Sequence, residues 1–450
     1  MEKNTNGSGA AITRGLRDMG GHLRRSWSMS WPMILIMAFE FLINLTDVYI
    51  GGLLGSQYQA AVGFSTQIYF IFIVVANALA VGTVSVVSRL FTSGNKEELT
   101  EVVFSSTVAT ALAGMILSTA GILLTPSVLK VVNIPPELKP FVVPFVRIYA
   151  LGLMFHYVLI NCNGILRSCD RVKQSLKTMT LVCGLNIGFN FLFVFHTPLS
   201  YRGIAAATAS SVFVGSILNL RHVGKLMNPL RRFSWAAVKK IANIGWPIGL
   251  LQVLWQLASM VLFLILSAIP ENRIEILAAL TTGLRIESAI YLPAFAFNMA
   301  NAVVVGNLLG EKKQEEAFRS GMVTATIGVA IVTVMVLAVI LNARGIVSFL
   351  SKDEIVIRES VMYLYISMIS EPVMAWGLIL GGGLNGAGDT RSVLKNVALS
   401  LWFVRVPLCY IFVVLLGFGP VSVWWSMNLS QLVQASLMSK RYLGKRWLST

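Results

Sequence analysis

Long apolar runs separated by short polar segments fill the chain from Trp31 onward. Each run has about the 20 residues that a helix needs to cross a bilayer. Twelve such runs lie at 31–55, 61–87, 102–125, 143–166, 177–197, 203–221, 244–268, 277–305, 320–341, 360–385, 395–416 and 420–438. The pattern therefore predicts an all-α integral membrane protein with twelve transmembrane helices.

The chain also repeats itself at a nearly constant spacing. Three segments recur 215 to 218 residues later: Trp31–Pro32 as Trp246–Pro247, GNKEEL at Gly94 as GEKKQEE at Gly310, and LRSCDRVKQSLK at Leu166 as LNGAGDTRSVLK at Leu384. Six predicted spans lie in each repeat, and an even number makes the two halves enter the membrane in the same sense. We predict two parallel six-helix lobes, 31–222 and 244–438.

Composition agrees with a membrane protein. Hydrophobic residues make up 56% of the chain and charged residues 12%, with a mean hydropathy of +0.73, whereas globular domains carry about 25% charged residues. The net charge of +16 could suggest a nucleic-acid partner, but the basic residues lie in short loops between spans. We therefore expect the lipid bilayer, and no nucleic acid, as a partner.

The distribution of Lys and Arg predicts the orientation. With the N-terminus inside, 26 of the 36 basic residues fall on the inner side and 7 on the outer side. Because basic loops stay on the cytoplasmic side, we predict a multi-pass protein of the cell (inner) membrane with both termini in the cytoplasm. This orientation predicts three basic cytoplasmic segments: an N-terminal segment 1–30, a linker 223–243 and a tail 439–450. We expect the N-terminal segment to be disordered or to lie on the membrane surface.

The remaining residue types argue against an enzyme. The four cysteines show neither CxxC pairing nor histidines at ligand spacing, so no zinc site or disulfide framework is indicated. An intramembrane prenyltransferase needs clustered carboxylates for Mg²⁺ and diphosphate, and the sequence contains no DDxxD-like cluster. We expect neither enzymatic activity nor a cofactor.

Two acidic residues interrupt the first apolar run. Glu40 and Asp47 share one helix face with Asn44 and Gly51. A carboxylate at membrane depth costs at least ~2.5–3.5 kcal/mol, so it is retained only where it meets a partner, a water-filled cavity or an ion pathway. We expect Asp47 to be the principal functional residue, the alternative being a carboxylate that only caps a kink or bonds another helix.

Three segments resemble the multidrug and toxic compound extrusion (MATE) family: LTDVYIGGLLGSQYQAAVGFS from Leu45, RIESAIYLPAFAFNMANAVVVGNLLGEKK from Arg285, and GGGLNGAGDTR from Gly381. The resemblance covers nearly the whole chain. It implies two six-helix lobes around a V-shaped cavity, and drug efflux driven by the inward flow of Na⁺ or H⁺.

The resemblance also implies a site. It identifies Asp47 as the acid of helix 1, with Asn186, Asn190 and Thr208 as its partners in cation coupling, and Pro32 as the proline and hinge of helix 1. At position 190 the family usually has a carboxylate. A second branch of the family carries acids on helices 7 and 10, but the seventh span, WPIGLLQVLWQLASM, has none. We therefore expect that second site to be absent.

The chemistry of these residues leaves two interpretations open. Asn186 and Asn190 present two amide oxygens on one helix face, and with a carboxylate and a hydroxyl they could ligate Na⁺ as a metal site. Alternatively, such groups only join helices, at ~0.6–2 kcal/mol each. Asn190 removes a negative charge beside Asp47, which weakens Na⁺ binding and favours H⁺ coupling as a hypothesis.

Other polar residues in the spans receive smaller roles. We expect Glu40 and Asn163 to join Asp47 in binding substrate, although Glu40 could instead reach toward the membrane surface. Glu287 and Glu371 are expected to form buried ion pairs, with Arg285 and Arg405 available as partners. His156, isolated in the fourth span, is predicted to have a packing role rather than a role in proton relay. The polar residues in the spans to which smaller roles are assigned are therefore Glu40, Asn163, Glu287, Glu371, Arg285, Arg405 and His156.

These expectations combine into one function. We predict a monomeric antiporter that exports cationic or amphipathic organic compounds in exchange for H⁺ or Na⁺. The alternative within the same superfamily is a flippase for lipid-linked oligosaccharides or cell-wall precursors. Such a flippase should carry several arginines in its cavity, whereas only Arg147, Arg285 and Arg405 lie in or beside the predicted spans.

Overall fold

The computed structural model describes residues 5–131, 136–227, 232–269, 273–351 and 353–449, and these ranges contain helices and their connections without a strand. The helices are α1 Thr5–Leu54, α2 Ser56–Ser93, α3 Lys96–Val131, α4 Lys139–Ser168, α5 Val172–Phe195, α6 Arg202–Gly224, α7 Trp235–Leu266, α8 Arg273–Gly310, α9 Gln314–Leu350, α10 Glu354–Ser367, α11 Glu371–Gly386, α12 Thr390–Ala398, α13 Val406–Tyr410 and α14 Pro420–Leu443. Short 3₁₀ turns lie at Pro136–Leu138 and Arg446–Ser449, and π-helical segments at Leu399–Arg405 and Ile411–Leu415. Each predicted span overlaps these helices, the tenth being divided between α10 and α11 and the eleventh between α12, α13 and the π-helical segments. The predicted fold class is therefore confirmed.

Hydropathy distinguishes the last helix from the others. Among the described residues, ten helices are long and apolar enough to cross a membrane, and an eleventh span forms if α10 and α11, bent by 54°, are taken together. The twelfth predicted span coincides with α14, which is not among them. Its buried face carries the polar residues Ser426, Asn428, Ser430, Gln431 and Gln434, and these lower its hydropathy.

The chain forms two compact units. The first unit is Leu35–Leu250, and the second unit is Met1–Ile34 together with Leu251–Thr450. Each boundary lies inside a helix, shortly after Pro32 in α1 and Pro247 in α7. Because proline removes a backbone hydrogen bond within a helix, α1 and α7 are each weakened close to the point where they leave one unit and enter the other.

Within the first unit, the start of α7 packs on α2 with backbone in contact. A Cβ atom at Gly82 would lie 2.2 Å from the carbonyl oxygen of Ile241, and one at Gly245 would lie 2.2 Å from that of Ala78. Small residues allow this approach, as in many membrane helix pairs. The predicted linker 223–243 is therefore partly helical, since α7 begins at Trp235; its residues 228–231, including Arg231, lie outside the described ranges.

Within the second unit, residues 22–30 of α1 pack on α9. The hydroxyls of Ser26 and Thr324 lie 2.7 Å apart, and the Oγ of Ser320 lies 2.6 Å from Nδ1 of His22. Ser26 and Ser30 are fully buried. The prediction that this segment is disordered or lies on the membrane surface was wrong for residues 20–30, because small polar side chains four residues apart give the helix a face that fits against α9.

Candidate functional site

The four residues expected to couple transport to a cation lie together in the first unit. Asp47 of α1 is 5% exposed, Asn186 and Asn190 of α5 are fully buried, and Thr208 of α6 is partly buried. The spacing of Asn186 and Asn190, one helical turn apart, brings both amides to the face of α5 that meets α1 and α6. The structure thus brings the four side chains into one cluster, with a single carboxylate.

Both oxygens of the Asp47 carboxylate accept hydrogen bonds. Nδ2 of Asn190 donates to Oδ1 at 2.9 Å, and the hydroxyl of Thr208 donates to Oδ2 at 2.8 Å. Asn186 supports both donors, since its Nδ2 donates to Thr208 Oγ1 at 3.0 Å and its Oδ1 accepts from Asn190 Nδ2 at 3.2 Å. An ionised carboxylate is stabilised by such donors, so the cluster can hold Asp47 in its charged form.

The orientation of the Asn190 amide differs from the arrangement of a cation site. Its nitrogen faces Asp47, while its Oδ1 is buried and finds no hydrogen-bond partner among the described residues. The residues nevertheless fit a small cation, because a turn of this amide would offer an oxygen beside the carboxylate, the Thr208 hydroxyl and Asn186. Asn190 can therefore stabilise a bare carboxylate in one orientation and ligate Na⁺ in the other.

Tyr149 of α4 completes the surroundings of Asp47, although the sequence did not single it out. It is 5% exposed and packs in one apolar cluster with Ile50 of α1 and Ile204 of α6, close to the Asp47 carboxylate. Aromatic residues are common in membrane spans, so residue type alone carries no signal. Only the packing of α4 against α1 and α6 identifies Tyr149 as a neighbour of the carboxylate.

An apolar cap closes one side of the cluster. The cap consists of the residues one turn beyond each site residue: Ile50 after Asp47, Val194 after Asn190, Ile204 before Thr208 and Phe145 before Tyr149. All four are at most 6% exposed. They lie where α1 and α5 end and where α4 and α6 begin. Water and ions are therefore excluded from Asp47 on that side.

The remaining predicted site residues lie outside this cluster. Glu40 is exposed two turns before Asp47, with Arg167 as its charged neighbour. Asn163 is 7% exposed and its Oδ1 accepts hydrogen bonds from Ser175 and Asn219, both at 2.7 Å. Pro32 is buried in α1, fifteen residues before Asp47. The side-chain oxygen of Asn163 is thus already hydrogen-bonded to neighbouring side chains, whereas the side chain of Glu40 is exposed.

A second acidic cluster lies in the second unit. Glu287 of α8 is 1% exposed and Glu371 at the start of α11 is fully buried. Both carboxylate oxygens of Glu371, and Oε1 of Glu287, accept no hydrogen bond within the described part of the chain. Arg405 is the charged group near both acids. Unlike the Asp47 cluster, this one leaves three of its four carboxylate oxygens without a hydrogen bond from the described residues, since only Oε2 of Glu287 accepts one, from Tyr291.

Within the described residues, neither acid of this cluster forms the ion pair that was expected at salt-bridge distance. Arg285 is exposed, so its predicted pairing with a buried acid was wrong. Arg405 is 8% exposed and lies near both carboxylates, but its Nε donates to the hydroxyl of Ser430 at 2.8 Å and its guanidinium lies over the Trp255 ring at 5.8 Å. The polar groups of α14 and the indole thus hold Arg405 in place.

This arrangement makes a stability prediction. Replacing Glu371 with Gln removes a buried carboxyl group whose oxygens accept no hydrogen bond from the described residues, so we expect an unchanged or higher melting temperature in detergent. Arg405→Gln should instead lower the free energy of unfolding by about 1–3 kcal/mol, because it leaves the acids without a nearby cation. A marked loss of stability in Glu371→Gln would show that the carboxylate is paired after all.

Comparison with known proteins gives a consistent result. The MatE family matches residues 32–192 and 247–411, two stretches that begin at Pro32 and Pro247 of the internal repeat. The uncharacterised transporter YisQ of Bacillus subtilis is 24% identical over 442 residues, 94% of each chain. The probable multidrug resistance protein NorM of Thermotoga maritima is 21% identical and covers 91% of this chain and 89% of its own.

A solved structure supports the same conclusion for the fold. A MOP superfamily transporter from Pyrococcus furiosus superimposes with a TM-score of 0.88 at 21% identity, over 95% of this chain and 97% of the other. At this identity the similarity establishes the fold alone. The family match, however, spans well over half of the sequence in two repeated stretches. The chain therefore belongs to the MatE family of membrane transporters.

Proposed function

We propose that this protein is an efflux antiporter that exports cationic or amphipathic organic compounds in exchange for H⁺ or Na⁺. The observation that carries the proposal is the buried Asp47 carboxylate, held by side-chain donors in a cluster without a second acid. A carboxylate at membrane depth is unfavourable in free energy, so its presence in the span indicates a function. The relatives named multidrug resistance proteins support the export of drugs as that function.

The mechanism that we propose is competition between the substrate and the coupling ion for Asp47. Charged Asp47 attracts a cationic substrate, and uptake of a proton or cation by Asp47 removes that attraction. The two states of Asp47 favour different conformations of α1, which can bend at Pro32. A ligand shifts a conformational equilibrium only through different affinities for the two states, so exchange at one carboxylate is sufficient to link substrate release to ion entry.

Two features favour H⁺ over Na⁺. Asn190 contributes no charge, and its amide nitrogen, rather than its oxygen, faces Asp47. A site with a single carboxylate that is already hydrogen-bonded can take up a proton without rearranging its ligands, whereas Na⁺ requires the Asn190 amide to turn. With both termini in the cytoplasm, as the basic loops predict, the apolar cap lies on the external side of Asp47.

Reconstituted vesicles test the proposal. Efflux of a panel of cationic dyes is measured under a proton gradient without Na⁺, and separately under a Na⁺ gradient at fixed pH. We expect transport to follow the proton gradient, since protonation alone discharges Asp47. Transport that responds only to Na⁺ would contradict proton coupling, and transport of no dye under either gradient would contradict drug efflux.

A further inference from the structure

Residues 22–30 of α1, which we call the N-terminal arm, meet α9 through a short row of polar contacts. Nδ1 of His22 lies 2.6 Å from the hydroxyl of Ser320, and the hydroxyl of Ser26 lies 2.7 Å from that of Thr324. The members of each pair are 298 residues apart, so the two helix segments run parallel, with one contact on each of two successive turns. Hydrogen bonds between side chains therefore align the arm with α9.

The row ends just before the proline of α1. The same register places Ser30 level with Gly328, which has no side chain to offer. Ser30 is fully buried, and its hydroxyl finds no hydrogen-bond partner among the described residues. Beside the row, Trp27 of the arm and Ile331 and Val334 of α9 border a groove of about 590 Å³. The arm is thus neither fully hydrogen-bonded nor closely packed against α9.

Two of the groups that the arm contacts have other partners as well. The hydroxyl of Thr324 donates to the backbone oxygen of Ser320 at 2.8 Å, so in its contact with the arm it is the acceptor. Arg25 of the arm lies 3.4 Å from Glu311, which also binds Lys313 at 3.0 Å. Ion pairs between partly exposed side chains contribute little to stability. Release of the arm therefore leaves Thr324 and Glu311 with one partner each.

The corresponding part of α7 is attached more firmly. Ser26 and Ser30 correspond, 215 residues later, to Ile241 and Gly245. Here α7 packs on α2 with backbone in contact, since a Cβ atom at Gly245 would lie 2.2 Å from the carbonyl oxygen of Ala78. Water can replace the hydrogen bonds of a hydroxyl, but it cannot replace close packing of this kind. Of the two repeated helices, α1 therefore has the weaker attachment at its start.

A bend in α1 breaks the row of contacts. Ser26 lies six residues before Pro32, about 9 Å along the helix axis. A kink of about 20° at the proline moves Ser26 by about 3 Å, more than a hydrogen bond tolerates. Beyond Pro32 the same helix belongs to the first unit, where it carries Asp47. While that part of α1 stays in the first unit, docking of the arm and a bend at Pro32 therefore exclude each other.

We propose that the N-terminal arm is a latch: docked on α9 it prevents α1 from bending, and it leaves α9 during each transport cycle. The inference rests on the proposed function, because the bend at Pro32 belongs to that mechanism. With the arm released, α1 can bend as the state of Asp47 changes. The start of α7 stays in place on α2 throughout. The latch thus gives the first helices of the two repeats different tasks, one moving and one fixed.

The test is a disulfide that keeps the latch closed, in the full chain reconstituted in proteoliposomes. In Ser26→Cys/Thr324→Cys, two sulfur atoms replace oxygens that are 2.7 Å apart, close to the ~2.05 Å bond of a disulfide. The four native cysteines are buried, and wild-type protein given the same oxidant is the control for their reaction. If about nine-tenths of the protein crosslinks, ethidium efflux should fall about tenfold, because only the uncrosslinked fraction can change conformation. Reduction with dithiothreitol should restore efflux.

Unchanged efflux after crosslinking would overturn the latch, since the arm would then be a fixed anchor. If the double variant does not fold, crosslink or export ethidium in its reduced form, Ser26→Cys alone is labelled with N-ethylmaleimide, at rest and during ethidium efflux. Ser26 is fully buried, so its labelling should rise about threefold or more when the arm opens. Equal labelling in both conditions would overturn the latch as well.

The control for labelling lies under the start of α7. Ser105 of α3 is fully buried, and its hydroxyl accepts a hydrogen bond from the backbone nitrogen of Ser234, directly before α7, at 2.8 Å. Labelling of Ser105→Cys should not change during efflux, because this attachment stays closed. An equal rise in Ser105→Cys and Ser26→Cys would show general loosening and overturn the latch.

The wild type separates the two proposals. Normal ethidium efflux by the wild type, together with a latch that fails these tests, would leave the proposed function intact. A wild type that exports no ethidium under either a proton or a sodium gradient would contradict the proposed function, and the latch with it.

Discussion

Asp47→Asn should insert and fold normally yet lose substrate efflux by about 100-fold or more, because the neutral amide cannot alternate between charged and discharged states. The estimate corresponds to the ~2.5–3.5 kcal/mol that a charge represents at membrane depth, at 1.4 kcal/mol per tenfold change. The amide oxygen of the variant can still accept the hydrogen bond of Asn190, and its nitrogen can donate to the Thr208 hydroxyl in place of the second bond. Folding is therefore expected to survive while coupling is lost.

Dye efflux from energised vesicles measures the effect of Asp47→Asn, with detergent melting curves as the check on folding. Glu40→Gln is the matched control, since it removes the other carboxylate of the same span. Glu40 is exposed and lies outside the Asp47 cluster, so its loss should reduce efflux by less than about tenfold. Efflux near the wild-type rate in Asp47→Asn would remove the basis of the proposed mechanism.

Asn190→Asp should raise the affinity for Na⁺ by about 30-fold. Two unit charges at 4 Å interact by about 4 kcal/mol at an effective dielectric constant of 20, and we take about half of this as lost to desolvation. The new carboxylate cannot donate to Oδ1 of Asp47, as Nδ2 of Asn190 does at 2.9 Å. Two adjacent buried carboxylates then need a cation or a shared proton between them.

The measurement for Asn190→Asp is thermal stabilisation by Na⁺, together with dye efflux under a Na⁺ gradient at fixed pH. Asn190→Ala is the control, since it removes the donor without adding charge and should gain no response to Na⁺. If Asn190→Asp and the wild type respond equally to Na⁺, then the residue at position 190 does not select the coupling ion, and the argument for H⁺ loses its main support.

The residues of the site could be predicted from the sequence to different extents, for different physical reasons. Asp47 could be identified from the residues alone, because a carboxylate in an apolar span is costly wherever the chain folds. Asn186, Asn190 and Thr208 were expected only through the resemblance to a family, since amides and hydroxyls are common between membrane helices. Their hydrogen bonds to one another and to Asp47 required the structure.

The residues that sequence reasoning missed or misjudged depend on contacts between distant segments. Tyr149 is one aromatic residue among many until α4 is packed against α1. His156 appeared isolated because its partner, Tyr69, lies 87 residues earlier in the chain. The N-terminal segment was predicted to be disordered or on the membrane surface because its sequence is basic. Its packing against α9 becomes evident only in the tertiary structure.

The sequence by itself determined the all-α membrane fold, the internal repeat and the presence of a costly acid in the first span. These features follow from local hydropathy and spacing, which act on each segment independently of its neighbours. Only the tertiary structure decided which groups satisfy Asp47, which way the Asn190 amide faces and which side of the carboxylate is closed. Hydrogen bonds and burial depend on which helices pack against each other, and the sequence of a single segment does not determine that packing.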